Sequence, residues 1–381
     1  MKPALCNVVG GMPDSPLHRV TALGQSVWID FLSRDLLETG ELERRMREDA
    51  ICGVTSNPTI FQKAMAEGAR YDDQLHELLD ATCDGSLQPV FFELASRDVG
   101  NACDLMRSVW DGGKGLAGYV SIEVDPTLAH DTDRTRAQAL GLHEKIDRPN
   151  LYVKIPGTKA GLPAIEDMIA AGRSINVTLI FSLERHREVM EAYLRGVERL
   201  VGAGGDPSRV SSVASFFVSR VDSEADKRLD AIGGHDELKG KLAVANAKLA
   251  YRQWQEAFSG PRWEALAAAG ASKQWCLWAS TSTKNPAYSD VLYVETLIGR
   301  DTVNTMPEET IAAFQDHGNA SETLEQGVEE AERLLEQLAD AGVDYDDVTE
   351  TLEREGVAKF SDSFAEALDG IRAKQGELAS A

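Results

Sequence analysis

One lysine, two carboxylates and a group of amide and hydroxyl side chains stand near the ends of short, strand-like runs in this sequence. Lys154 lies in Asn150-Leu-Tyr-Val-Lys-Ile-Pro-Gly-Thr158. There Leu151 to Ile155 has the branched and aromatic residues of a strand, and Pro156-Gly157 ends it. Burial disfavours the ammonium form of a lysine, and a neutral amine attacks a ketone to form a Schiff base. Asp30 and Glu123 close two other such runs. An amine with two carboxylates suits that chemistry: an acid protonates the departing hydroxyl, and the iminium becomes an electron sink for breaking a carbon–carbon bond. Asn57, Asn176, Thr178 and Ser215 could orient the hydroxyls of a polyol or hold a water. Taken singly, each charge has a plainer reading. Lys154 could be a strand-end lysine with its tip in water. Asp30 could cap a helix, and Glu123, just before Asp125-Pro126, could pair with a loop cation.

The elements that must position these residues alternate along the chain. Strand-like runs are expected at Ser26–Phe31, Ile51–Asn57, Gly118–Val124, Leu151–Ile155, Ser174–Phe181, Val210–Val218, Gln274–Ala279 and Thr302–Met306. Helical segments stand between them, including Leu36–Asp49, a long region from Phe61 to Trp110 broken near Gly85 and Pro89, and Asp222–Ala269 with a break at Gly233. Acidic helices follow, from Ser321 to Ala341 and from Asp346 to the tail. Strand and helix taking turns implies parallel βαβ units, and eight of them imply a closed (β/α)8 TIM barrel. Additional helices are expected at the N-terminus, after the second and sixth strands, and at the C-terminus. The chain reads as one barrel domain over 1–381, with an N-terminal extension at 1–25 and a C-terminal helical extension at 320–381 packed on the barrel.

Period-two alternation puts Trp28 with Asp30, Ser121 with Glu123, Tyr152 with Lys154, Asn176 with Thr178, and Ser215 with Phe217. The opposite positions are mostly apolar: Val27, Ile29, Ile122, Val153, Ile155, Val177, Leu179 and Phe216. An open parallel sheet covered on both faces reads as near-continuous apolar runs. Here one face is polar toward the strand ends, as in a barrel whose lumen opens at a C-terminal mouth. The loops after late barrel strands are frequent phosphate sites. Two segments fit that role: Ser219-Arg220 after the sixth run, and Ser280-Thr-Ser-Thr-Lys-Asn285, with Ser282 and Lys284, after the seventh. The plainer readings are an Arg220–Asp222 ion pair and a solvent lysine.

Composition sets outer bounds. The 381 residues carry a formal net charge of −23, which argues against wholesale nucleic-acid binding but leaves room for a small basic pocket. Cys6, Cys52, Cys83, Cys103 and Cys276 form no close pairs and read as reduced thiols, which places the chain in the cytoplasm. The seven histidines show no metal-ligand spacing. Gly112-Gly-Lys-Gly115 precedes a strand and so matches no nucleotide-binding loop. The start lacks the apolar core of a signal peptide, and no apolar run reaches membrane length.

The stretches Gly53-Val-Thr-Ser-Asn-Pro-Thr-Ile-Phe61, Ser121-Ile-Glu-Val-Asp125, Leu151-Tyr-Val-Lys-Ile-Pro-Gly-Thr158, Ile175-Asn-Val-Thr-Leu-Ile-Phe-Ser182 and Ser280-Thr-Ser-Thr-Lys-Asn-Pro286 resemble transaldolase in its longer bacterial form. The resemblance runs in order from about Ser26 to Pro307. It implies a class I aldolase on a (β/α)8 barrel, with no metal or organic cofactor and with phosphorylated sugars as substrates. A dihydroxyacetone unit would pass from sedoheptulose 7-phosphate to glyceraldehyde 3-phosphate. By position, Lys154 matches the Schiff-base lysine and Asp30 the acid/base. Glu123 matches a carboxylate acting through a water that Thr178 holds. Asn57, Asn176, Ser215 and Phe217 match the lining around the three-carbon unit, and Arg220 matches one phosphate arginine. Where many members carry a second arginine, this chain has Lys284 beside Ser282, which keeps the charge but loses the bidentate fork. Neither nucleic acid nor membrane is implied as a partner; a homo-oligomer is left open. A free-standing fructose 6-phosphate aldolase and a non-catalytic sugar-phosphate-binding barrel are the competing readings.

Overall fold

A computed structural model describes residues 15–378 apart from 67–69, 82–85, 114 and 116. Cys6, Cys83, the break near Gly85, Lys114 and residues 1–14 of the expected N-terminal extension lie outside the described residues. Eight parallel strands close into a barrel in sequence order: β1 Gln25–Ile29, β2 Ile51–Val54, β3 Tyr119–Glu123, β4 Leu151–Pro156, β5 Ile175–Ile180, β6 Ser212–Phe217, β7 Trp275–Ala279 and β8 Thr302–Met306. Helices stand between and around them, as the alternation of the sequence implies. Pairing of β1 with β8, Gln25 opposite Thr302 through Ile29 opposite Met306, completes the ring.

The strands present two faces, as the alternation requires. Leu151, Val153 and Ile155 are buried on the side opposite Tyr152 and Lys154. On the inner side Trp28 stacks on Tyr152 at 6.1 Å between ring centroids, and Tyr152 stacks on Tyr119 at 4.0 Å. Gly53 faces Trp28 so closely that a Cβ there would lie 2.3 Å from Cε2 of the indole. These rings fill the lower lumen. Aromatic pairs of this kind contribute about 0.5–1.5 kcal/mol each beyond the area they bury. The polar groups above them therefore sit in a cup open at one end.

Several expected boundaries move. β1 stops at Ile29 and β2 at Val54, so Asp30 and Thr55–Asn57 lie just past the strands. The ladder still runs on there, with Asp30 N–H donating to Met306 O at 2.8 Å and Thr55 N–H to Ile29 O at 2.9 Å. Leu36–Asp49 is two helices, Arg34–Glu38 and Glu41–Glu48, because Gly40 takes φ 78° between them. One helix ends at Ala81 and the next begins at Leu87, so the helical region is interrupted just ahead of Pro89. Pro89 itself sits in the first turn of helix Leu87–Leu105, where a missing N–H costs no helical bond. Helix Ser219–Ile232 starts earlier than expected and carries Arg220 in its first turn. The segment from Ser321 becomes helical only at Val328, after Gly327 at φ 69°. Leu179 also departs from plain alternation. It takes φ 59° within a register shift between Val177 and Ile180, so β5 bulges at its C-terminal end.

The last helix, Tyr345–Leu378, lies across the C-terminal side of the barrel. It packs along helix Pro58–Ala66, and Phe364 meets Phe91 edge-on at 5.0 Å. Thr59 Oγ1 donates to Ser363 Oγ at 2.7 Å. Gly356 allows the close approach to the bulge: a Cβ there would lie 3.1 Å from Leu179 Cδ2.

Candidate active site

Parallel register does the first part of the assembly. Glu123 on β3 is directly opposite Lys154 on β4, and Lys154 is directly opposite Asn176 on β5. Residues paired in this way project to the same side, so all three enter the lumen. Lys154 Nζ lies 3.3 Å from Glu123 Oε2 and donates to Ser56 O at 3.1 Å, with Lys154 and Glu123 each only 5% exposed. Beside them Ser215 Oγ donates to Asn176 Oδ1 at 2.7 Å, and Asn176 Nδ2 donates to Ser121 Oγ at 3.2 Å. Glu123 Oε1 finds no hydrogen-bond partner, and nor does the Thr178 hydroxyl, which is fully buried.

Asp30 enters from the end of β1, half-buried at the mouth. Thr55 Oγ1 donates to its Oδ1 at 2.7 Å and lies 2.6 Å from Thr305 Oγ1. Thr55 has one proton, so Thr305 donates to Thr55 and the two hydroxyls point in series at Asp30. Burial raises the Asp30 carboxyl above the ordinary carboxylate range, opposed by the Lys154 charge, the Thr55 hydrogen bond and Arg220. Glu123 is raised for the same first reason, again opposed by Lys154. The charge of Lys154 thus bears on both acids.

A cavity of about 300 Å³ opens above this group, lined among others by Lys154, Thr178, Ser215 and Phe217. Asn57 also lines it. Its Oδ1 accepts from Ile60 N–H at 3.0 Å, so it caps the helix that begins at Pro58, leaving its Nδ2 to donate elsewhere. Arg220 stacks its guanidinium on Phe217, 5.1 Å from the ring centre. The alternative Arg220–Asp222 pair does not form: Asp222 accepts from Ala243 N–H at 2.7 Å and from the Tyr293 hydroxyl at 2.8 Å. Lys284 donates to Ser282 Oγ at 2.6 Å beside the same cavity. Asp30 does not cap the helix after it, where Ser33 is the cap, and Glu123 pairs with Lys154 rather than a loop cation, Asp125 being the cap of the turn that follows.

A larger hollow of about 480 Å³ adjoins this cavity across Asp30, Lys63 and Glu309. Its two arginines are already matched, Arg34 on Asp98 and Arg70 on Asp35 and Glu38, and its remaining cation, Lys63, is shared with the cavity over Lys154. The cavity over Lys154 differs. Among the described residues, Arg220, Lys284, Lys63 and Lys359 on its wall have no carboxylate within 4 Å. Nine of the eleven sequence-derived candidates line this cavity, and the other two, Glu123 and Asn176, stand behind it against Lys154 and Ser215. Sequence reasoning did not find Thr55, Thr305, Lys63 or Lys359. Thr55 shares a period-two face with Asn57 and carried a usable signal; the lysines, on helices, carried none.

A family model described as Transaldolase/Fructose-6-phosphate aldolase matches residues 27–371. The chain belongs to the transaldolase/fructose-6-phosphate aldolase family. It is 53% identical over 353 residues to a protein named transaldolase from Acidothermus cellulolyticus, covering 92% of this chain and 94% of that one. It is 50% identical to a transaldolase from Parafrankia sp., covering 96% of this chain and 99% of the relative. With a transaldolase from Mycolicibacterium paratuberculosis the identity is 51%, over 94% of this chain and 97% of the other. The matched span of the family model includes all eight strands from Val27 on and most of the C-terminal helix. Among the described residues, no helix is long and apolar enough to cross a membrane.

Proposed function

We infer that this chain is a transaldolase that moves a dihydroxyacetone unit from sedoheptulose 7-phosphate to glyceraldehyde 3-phosphate, giving erythrose 4-phosphate and fructose 6-phosphate. The observation that carries this reading is a buried amine, 3.3 Å from one carboxylate, beneath a cavity rimmed by unpaired cations. Lys154 Nζ adds to the donor ketone carbon, and the carbinolamine loses water to give an iminium. Glu123, whose proton affinity burial increases, exchanges protons with the departing hydroxyl through a water held by Thr178. Both groups have buried polar atoms that no protein partner occupies.

The iminium withdraws electrons as the bond beyond the three-carbon unit breaks. Asp30 takes the proton from the adjacent hydroxyl, so the leaving fragment departs as an aldehyde and an enamine stays on Lys154. The enamine carbon then adds to the acceptor aldehyde while Asp30 returns the proton to the new hydroxyl. Water releases the product and restores the amine. Asn57, Asn176 and Ser215 hold the hydroxyls of the three-carbon unit, and Phe217 covers it. Arg220, Ser282 and Lys284 receive the phosphate. Lysine is a compact charge rather than a fork, and its bond to Ser282 sets its direction.

Borohydride reduction in the presence of fructose 6-phosphate tests the assignment. The expected result is a mass increment on the peptide bearing Lys154, absent in Lys154→Ala, which stays folded but does not turn over. Retained turnover in that variant would place the nucleophile elsewhere. Incubation with dihydroxyacetone and an aldehyde phosphate, without a ketose phosphate donor, separates transfer from free-standing aldol synthesis. Rapid ketose formation there would replace transaldolase by the aldolase reading.

A further inference from the structure

The C-terminal helix is more than a strut on the barrel. Phe360 and Lys359 of this helix line the cavity above Lys154. Position 359 is three residues after Gly356, which is pressed toward Leu179, and four before Ser363, which is bonded to Thr59. Residues three and four apart share a helix face, so position 359 stands beside the ridge that meets the barrel, with its side chain exposed at the cavity mouth. Phe360 next to it is 4% exposed, and Phe364 and Ala367 continue the buried row.

Arg220 from the end of β6, Lys284 from the loop after β7, Lys63 from helix Pro58–Ala66 and Lys359 thus converge from four separate parts of the chain. This happens in a protein with 62 acidic and 39 basic residues, where counter-charges are plentiful. Like charges gathered without partners raise the energy of the empty site, and an anion placed among them lowers it. The ammonium of Lys359 feels this crowding: its proton is held less firmly than usual, chiefly because of Arg220, then burial, then Lys284 and Lys63.

We propose that Lys359 is a substrate-phosphate ligand, completing from the C-terminal helix an anion subsite that Arg220 and Lys284 begin. The proposal rests on the transaldolase reading for its substrate. The phosphate is the one on the far end of the sugar, away from the dihydroxyacetone unit, because Lys154 and Ser215 occupy the closed end of the cup. The C-terminal helix then lies over the bound sugar phosphate. Lys359 also supplies a charge where the Lys284 position lacks a guanidinium fork.

Steady-state kinetics of Lys359→Ala and Lys359→Arg test this. For Lys359→Ala, the KM for fructose 6-phosphate should rise about five- to tenfold with kcat within about twofold, the signature of a lost binding contact. The competitive inhibition constant of inorganic phosphate should rise by a similar factor, and Lys359→Arg should bring both within about twofold of the parent. The preference for glyceraldehyde 3-phosphate over unphosphorylated glyceraldehyde should fall at least fivefold. An unchanged KM and phosphate inhibition constant in Lys359→Ala would overturn the proposal. So would an equal loss toward both aldehydes, which would mean only that the helix had been disturbed. Should the parent protein show no transfer at all, the functional reading fails. Phosphate binding by calorimetry, compared between parent and Lys359→Ala, still decides whether Lys359 belongs to an anion site.

Discussion

The hydroxyl series Thr305–Thr55–Asp30 makes a sharp claim about pH. Thr55 Oγ1 donates to Asp30 Oδ1 at 2.7 Å, a hydrogen bond to the ionised form of an acid that burial otherwise raises. A hydrogen bond to a charged group contributes about 1.5–3 kcal/mol. With about 1.36 kcal/mol per pKa unit, replacing Thr55 by valine should raise the Asp30 pKa by about one to two units. Valine keeps the volume, and Thr55 touches Asp30 rather than Glu123, so the change can be assigned to Asp30. The assay is kcat/KM from pH 5 to 9, with product aldehyde phosphate followed by a coupled dehydrogenase. If ionised Asp30 is needed to take a hydroxyl proton, the acid limb of Thr55→Val moves up by that amount. Rates on the acid side then fall about 10- to 100-fold, while the alkaline plateau stays within about threefold. Thr55→Ser, which keeps the donor, should titrate like the parent. A limb that stays in place in Thr55→Val, or moves equally far in Thr55→Ser, would refute the hydroxyl series as the control on Asp30.

Two further outcomes concern stability. Gly53→Ala would put a Cβ 2.3 Å from Trp28 Cε2, against an indole already stacked on Tyr152. Overpacking costs about 1–3 kcal/mol or more, so urea unfolding should show a loss near the top of that range, and an unchanged midpoint would mean that the lower lumen is loosely packed. His186 is fully buried, and desolvation pushes its pKa down to about 3 from the ordinary 6.5. A depressed histidine contributes stability that is complete above about pH 6.5 and is lost as pH falls, because the unfolded chain takes the proton first. At pH 4.5 that loss approaches about 3 kcal/mol. His186→Leu should therefore flatten the fall in melting temperature between pH 7 and 4.5. Parallel curves for parent and variant would show that this histidine is not held neutral.

Much of the architecture follows from rules that act over a few residues. Side chains on a strand alternate with a period of two, so Lys154, Glu123, Asn176 and Ser215 could be put on one face, and Leu151, Val153 and Ile155 on the other, from the chain alone. Alternation of strand and helix implied parallel strands joined by crossovers, and the count of eight with one polar face per strand pointed to a closed barrel rather than an open sheet. Only the tertiary structure decided what those strands face. The bulge at Leu179 carries a non-glycine residue at φ 59°, which no local preference favours; the packing of that leucine under Gly356 accompanies it. Arg220 has a carboxylate two residues away in sequence, yet it stacks on Phe217 while Asp222 is taken up by Tyr293 and Ala243. Lys359 lies 205 residues beyond Lys154, on a helix whose own pattern says only which side is apolar. Where that side lands depends on surfaces built from the whole chain, and for this reason the cup could be read from the sequence but its cover could not.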